Sequence, residues 1–194
     1  MYDPLAQLIF GKSIVDSQTW FLDQVPPMAK VLILGGGTGW ILGELVKQNP
    51  SCTVWYVEAS TKMIEKTRGR LLHNQVNLIH GTEDDIPQNV TFDVIITNFY
   101  LDLFTEEKLK NVIQQLTNQT HSSSRWLVTD FVDRGVWWQR FMLKIMYLFF
   151  RSVCDIEANR LPNWNTCLNI HRWTEASSKD WYGGFIRSTV FLNM

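Results

Sequence analysis

Short apolar runs alternate along this chain with longer stretches in which apolar residues recur every three or four positions. That is the pattern of buried parallel strands joined by crossover helices. The runs predict strands near 30–34, 52–57, 76–80, 91–98 and 125–131, and the periodic stretches predict helices near 38–48, 60–72 and 105–119. Asn49 before Pro50 ends the first helix, because proline disfavours helical geometry in the residue ahead of it. Thr105 opens the third as a capping residue, with Glu106 and Glu107 in the first turn, where the helix dipole favours acids. Ahead of the strands, residues 1–25 read as one or two helices with Leu5, Leu8, Ile9 and Phe10 on apolar spacing. After them, Val136 to Phe150 read as an amphipathic helix, too short and, with Arg140 and Lys144, too charged to span a membrane. Its stripe of Trp138, Phe141, Met142, Ile145, Leu148 and Phe149 suits a cover for the sheet, and Trp137 and Tyr147 reach beyond that stripe.

The strand Val31 to Leu34 runs directly into Gly35, Gly36, Gly37, Thr38 and Gly39 and then into the first helix. Glycines here let a ligand approach the backbone and permit positive φ, while the free amides of the helix start face the ligand. A second strand ends at Glu58, whose carboxylate is suited to accept hydrogen bonds from a ribose diol. Glycine spacing separates two nucleotide chemistries. The dinucleotide fingerprint laid on Gly35 and Gly37 requires a third small residue at position 40, and Trp40 stands there, so a pyrophosphate is disfavoured.

The pattern at 35, 37 and 39 instead resembles the first motif of the class I S-adenosylmethionine-dependent methyltransferases. Glu58, Ala59 and Met63 are similar to that family's second motif, an acid closing strand two and a helix whose methionine packs near the adenine. Gly81 to Pro87, with Thr82, Glu83 and Asp84, resembles the third, which reads the adenine edge. Phe92 to Asn98, followed by Phe99 to Phe104, resembles the fourth, beside the reactive methyl group. The resemblance implies an α/β, Rossmann-like three-layer sandwich with a seven-stranded, mostly parallel sheet. Two further strands would lie near 171–179 and 184–192, the last antiparallel, with Tyr182 to Phe185 as the turn between them.

It also implies S-adenosyl-L-methionine as cofactor, held by Gly35, Gly36, Gly37, Thr38, Gly39, Glu58, Ala59, Met63, Thr82, Glu83, Asp84 and Asn98. Three positions depart from the family. Ile33 replaces a frequent acid, so another group must meet the ammonium of the cofactor. Thr82 replaces a frequent aspartate, which shifts adenine recognition to Glu83 or Asp84. Asp102 stands where a histidine is frequent.

Composition narrows the picture. With 194 residues, of which 45% are hydrophobic and 13% aromatic, the chain suits one methyltransferase domain over 1–194. Residues 1–25 would form an amino-terminal helical cap and 133–170 a helical substrate-side cover. A net charge of −1 and the lack of a basic tract argue against nucleic acid as partner. Cys52, Cys154 and Cys167 form no paired motif, and the amino terminus lacks the charge and apolar run of a secretory signal. A cytoplasmic protein is the expectation. His73, His80, His121 and His171 lack metal-ligand spacing, so no metal is expected.

The reaction expected from the resemblance is direct displacement of a methyl group onto a small or lipid-like acceptor. No catalytic residue is assigned; if the acceptor must lose a proton, Asp102 and Tyr100 are nearest in sequence to the site. Tyr2, Phe10, Trp137 and Tyr147 are the candidate acceptor contacts, each with the alternative of simple packing. Arg140, Lys144 and Arg151 fall loosely together on their helix, where they could meet anionic lipid or an acidic substrate, and a solvated face is the favoured reading. The alternatives are a nicotinamide dehydrogenase, an aminopropyl transferase and a non-catalytic scaffold of methyltransferase type. The first lacks its third glycine, the second lacks a paired-acid segment for a polyamine, and the third is kept open by Ile33.

Overall fold

The computed structural model describes residues 9–69, 75–153 and 160–194, the side chains of 148–153 excepted. Tyr2, Leu5, Leu8, His73 and Cys154 lie outside the described residues, as do the expected helix end at 72 and the side chains of Leu148, Phe149 and Arg151. The strands are β1 Lys30–Leu34, β2 Thr53–Glu58, β3 Val76–His80, β4 Phe92–Asn98, β5 Thr120–Phe131, β6 Trp173–Trp181 and β7 Ile186–Asn193. They form one seven-stranded sheet in the order β3-β2-β1-β4-β5-β7-β6. The ladders from β3 to β5 are parallel, and β7 runs antiparallel to both its neighbours. The helices are α1 Ser13–Thr19, α2 Trp40–Gln48, α3 Thr61–Arg68, α4 Glu106–Thr117, α5 Trp137–Val153 and α6 Trp164–Ile170.

Strand side chains alternate between the two faces of a sheet, so a continuous apolar run demands cover on both. Val31 and Ile33 of β1 face one side with Val54, Tyr56, Val94 and Ile96, under Ile41, Leu42 and Leu45 of α2 and Ile64 of α3. Leu32 and Leu34 face the other side with Ile95, Trp126 and Val128, under Leu109, Val112, Ile113 and Leu116 of α4 and Trp164 and Leu168 of α6. The three layers follow directly. Among them, α6 belongs to the α4 side of the sheet, where Trp164 Nε1 also donates to the Phe131 carbonyl at 2.9 Å.

β5 begins earlier than its apolar run. Ser124 Oγ accepts from the His121 amide at 2.9 Å and donates to the Phe92 carbonyl at 2.8 Å. Pairing with β4 thereby continues across a register shift between Phe92 and Val94. The amino-terminal helix is tied to the far side of the sheet by polar contacts. The Ser17 carbonyl accepts from Thr129 Oγ1 of β5 at 3.0 Å and from Ser188 Oγ of β7 at 2.6 Å.

A third cluster closes the carboxyl end of β5 and the amino end of β7: Phe10, Ile14, Phe131, Leu143, Phe185 and Ile186, with Trp138, Met142, Met146 and Tyr147 packed on it. Trp138 covers this cluster as expected, its ring 5.6 Å from Phe185 and 5.9 Å from Tyr182. Met142 packs there as expected too, and the stripe is corrected at Phe141 and Ile145. Phe141 is 58% exposed and Ile145 46% exposed, while Gln139 and Leu143 are buried. Gln139 Oε1 accepts the Arg134 amide at 3.0 Å and its Nε2 donates to the Gly183 carbonyl at 3.3 Å. These two bonds rotate the helix so that a polar residue faces in and two large apolar ones face out.

Trp126 is fully buried against Trp173, ring centres 5.2 Å apart, and its Nε1 donates to Thr97 Oγ1 at 3.0 Å. Trp126→Ala should cost about 3–5 kcal/mol in denaturant unfolding, from lost burial and a residual cavity. Trp137→Ala, at a residue 78% exposed, should stay within about 0.5 kcal/mol. Equal losses for the two would refute this assignment of inward and outward faces.

Candidate functional site

In a mostly parallel sheet a ligand crevice opens at the carboxyl ends of strands where the strand order reverses, here between β1 and β4. The glycine turn leaves β1 at that point. Gly35, Gly37 and Gly39 all adopt positive φ. A Cβ on Gly36 would sit 2.2 Å from the Tyr56 ring, so absence of a side chain there serves packing against β2. At Gly37 a Cβ would meet open space, and the constraint is its φ of 65°. Tyr56 Oη and Thr67 Oγ1 both donate to the Gly37 carbonyl, at 3.0 and 3.2 Å, and hold the turn from below.

Glu58 closes β2 beside this turn. Its Oε2 accepts the Gly37 amide at 2.8 Å and its Oε1 accepts the Ser60 amide at 2.8 Å. A carboxylate has about four lone-pair sites, so two remain for a diol. The third motif folds into a short turn in which Thr82 Oγ1 accepts the Asp84 amide at 3.4 Å and Asp85 Oδ2 accepts the Thr82 amide at 2.9 Å. Glu83 is buried there, and its Oε2 accepts from Tyr100 Oη at 2.7 Å. Of the two acids offered for adenine, Asp84 is the exposed one and Glu83 is engaged by Tyr100.

A cavity of about 440 Å³ collects these groups. Gly35, Glu58 and Ala59 line one side, Thr82, Glu83 and Asp84 another, and Phe99, Tyr100, Phe104 and Lys108 close it. Phe104 and Lys108 were not among the expected site residues. Lys108 follows a capping signal on a helix start that looked purely structural, and its ammonium in fact lies 5.5 Å from the Phe104 ring centre. Met63 is half-buried on α3 and is not among the lining residues. Thr38 is buried within the turn.

Two further features mark the end of β4. Both amide atoms of Asn98 are buried without a hydrogen-bond partner, an arrangement that costs free energy unless a ligand group or water pairs with them. Phe99, next in the chain, has a φ of 53°, uncommon for an aromatic residue. Its amide donates to the Thr129 carbonyl at 2.7 Å and its ring packs 4.8 Å from Phe131. Tertiary contacts thus hold a strained residue at the crevice.

The two candidate bases differ in state. Burial and the neighbouring Glu83 charge drive the Tyr100 phenol well above its ordinary range, so it remains a donor. Asp102 is buried, and desolvation pushes its carboxyl from 3.8 up to about 7. Behind it, Asp130 accepts the amides of Leu101, Asp102 and Phe131 at 3.0, 3.3 and 2.8 Å. Burial first, and the Asp102 charge second, raise Asp130 as well. Tyr147 Oη reaches the Asp102 carbonyl at 3.4 Å, whereas Phe10 is buried between Phe131 and Tyr182 and Trp137 points to solvent. Among the described residues no group of His, Cys, Asp and Glu could hold a metal, and no helix is long and apolar enough to cross a membrane.

Comparison with known proteins matches residues 31–122 to the family described as methyltransferase domain. A malonyl-[acyl-carrier protein] O-methyltransferase of Priestia megaterium is 28% identical over 101 residues, covering 52% of this chain and 36% of that protein. The chain therefore spans little more than a third of that relative. Among solved structures, mitomycin 7-O-methyltransferase superposes with a TM-score of 0.70 at 16% identity, covering 94% of this chain and 54% of that one. Magnesium protoporphyrin IX methyltransferase from Synechocystis, with S-adenosylhomocysteine bound, gives 0.69 at 14% identity over 94% and 83%. At these identities the likeness is one of fold.

A carboxyl whose folded pKa is raised stabilises the fold fully below its unfolded value and loses that contribution as pH rises through the folded value. For Asp102 the window runs from 3.8 to about 7. Asp102→Asn should therefore remove a fall in stability across that window. Urea unfolding of both proteins at several pH values reads it, and a difference between them that stays constant with pH would refute it.

Proposed function

We propose that this chain, whose residues 31–122 match the methyltransferase domain family and whose fold is that of S-adenosylhomocysteine-bound methyltransferases, binds S-adenosyl-L-methionine and methylates a small or lipid-like acceptor. The observation that carries this reading is the Glu58 carboxylate, held by two amides beside the glycine turn with lone pairs left over in a cavity of ligand size. When bound, the cofactor supplies a methyl group already activated on a sulfonium.

The chain's own residues supply the rest. Glu58 would hold the ribose hydroxyls by charge-assisted hydrogen bonds, and Thr82 and Asp84 would face the adenine edge, with Ala59 and Phe104 on its faces. Ile33 is 1% exposed inside the apolar layer and offers nothing to the ammonium end. The unpaired amide of Asn98 supplies one donor and one acceptor to that end instead. Phe99, Tyr100 and Phe104 keep water from the reacting pair, which favours loss of charge from the sulfonium. Alignment by such groups contributes several powers of ten in rate.

The acceptor would enter from the third cluster, where Tyr147 and Phe10 stand behind Phe99 and Phe131. The named acceptors of the malonyl-carrier and mitomycin enzymes support an oxygen acceptor in this class. Neither candidate base is assigned to an acceptor that must lose a proton: Tyr100 lines the cavity but its hydroxyl already donates to Glu83, and Asp102 is buried outside the lining.

Calorimetric titration with S-adenosylhomocysteine should show one site, with no heat from NAD. NAD binding equal or tighter would overturn the cofactor. Glu58→Ala should weaken that site by about fivefold to a hundredfold, the loss of roughly 1–3 kcal/mol of charge-assisted bonding. Asn98→Ala should weaken S-adenosylhomocysteine but leave adenosine unaffected, since adenosine lacks the amino-acid end; equal loss for both ligands would remove Asn98 from that role.

A further inference from the structure

We propose that the outward face of α5 docks this protein on an anionic lipid surface. Trp137, Phe141 and Ile145 are 78%, 58% and 46% exposed, and Val136, just ahead of the helix, is 39% exposed. Residues four apart share one side of a helix, so these three form a single stripe roughly 12 Å long at the ordinary helical rise. The stripe is not the core-facing side of α5, which Trp138, Gln139, Met142, Leu143, Met146 and Tyr147 already provide. A helix of a water-soluble domain ordinarily carries one apolar face. This one carries a second face of large apolar residues open to solvent.

Charge selects the occupant. Arg140 and Lys144 are exposed between the apolar residues of the stripe, at i+3 and i+7 from Trp137. From Trp137 to Val153 the helix contains no acid. Among the described residues, Asp133 pairs with Arg140, 3.5 Å from its Nε, and both side chains of that pair are partly exposed, 63% for Arg140 and 35% for Asp133. Such an ion pair contributes little and leaves the guanidinium's other donors available.

Apolar residues flanked by cations, with tryptophan at the edge, match the boundary between acyl chains and anionic headgroups. A second copy of this chain fits less well, because a two-fold contact through this stripe would set Arg140 and Lys144 against the same charges. Seated this way, α5 would lie flat on the bilayer, with its inner face, and Tyr147 above Asp102, toward the acceptor side of the site.

Sedimentation with phosphatidylcholine vesicles containing about one third phosphatidylglycerol, and with pure phosphatidylcholine, tests this directly. The protein should bind the anionic vesicles, and each cation should contribute about fivefold at low salt, an effect lost at high salt. Arg140→Glu with Lys144→Glu, and separately Phe141→Ser with Ile145→Ser, should each weaken binding at least about tenfold. Thermal unfolding should stay as in the parent, since all four side chains face solvent.

Absence of binding to anionic vesicles would overturn the proposal, as would binding that neither double variant weakens. A dimer in sedimentation velocity that the Phe141→Ser, Ile145→Ser protein loses would assign the face to a second copy instead. Vesicle binding requires neither cofactor nor acceptor, so it succeeds or fails independently of methyl transfer.

Discussion

The carboxylate of Glu58 ties together the turn after β1 and the segment ahead of α3. One oxygen takes the amide of Gly37 in the turn after β1, and the other takes the amide of Ser60 ahead of α3. The remaining contacts of the turn depend on that position. Tyr56, two residues earlier on the same strand, presses its ring under Gly36 and donates to the Gly37 carbonyl, so the turn is gripped by a carboxylate at its amide and a phenol at its carbonyl. A side chain at position 36 would lift the turn off Tyr56, and the amide would leave Glu58. Strand β2 therefore builds the site as much as the glycines do, and leaves the acid oriented with unused acceptor capacity.

A second tie holds the opposite wall. Tyr100 follows the strained Phe99 and donates to Glu83, while Gln115 of α4 donates to the Glu83 carbonyl at 2.8 Å. The third-motif turn and the segment after β4 are thus one hydrogen-bonded unit. The φ of Phe99 is the strain this unit sustains, offset by its bond to Thr129 and its packing on Phe131. Beneath it, Asp102 and Asp130 share one buried region in which desolvation disfavours charge on both. Burial and the Asp102 charge hold the Asp130 carboxyl well above its ordinary range despite its three backbone amides, so Asp102 is the group of the pair that titrates near neutrality.

How much of this was legible in the amino-acid order varies by element, for physical reasons. β1, β2 and β4 were readable through the apolar runs Val31–Leu34, Val54–Val57 and Val94–Ile96, since central strands of a sheet with helices on both sides need apolar residues on both faces. Gly35 to Gly39 and Glu58 were readable because backbone conformation and hydrogen-bond chemistry leave few residue types able to serve. The antiparallel final strand and its turn at Tyr182 to Gly184 followed from the resemblance to class I methyltransferases. Lys108 and Phe104 gave no such signal, since a lysine and a phenylalanine beside a helix start are ordinary surface or packing residues until a cavity forms around them.

What the sequence by itself determined is therefore the layered sheet, the glycine turn and the acid beside it, each enforced by local backbone geometry or by burial on both sides of a strand. Tertiary structure alone decided which face of α5 turns inward. Apolar residues occupy nearly its whole circumference, so hydrophobic periodicity could not select a side. The choice fell to the hydrogen bonds of Gln139 with Arg134 and Gly183, partners from a loop and from a distant turn. It also alone separated Glu83 from Asp84 and Asp102 from Tyr100, because burial and the identity of a hydrogen-bond partner are properties of contacts between remote segments, and no local spacing encodes them.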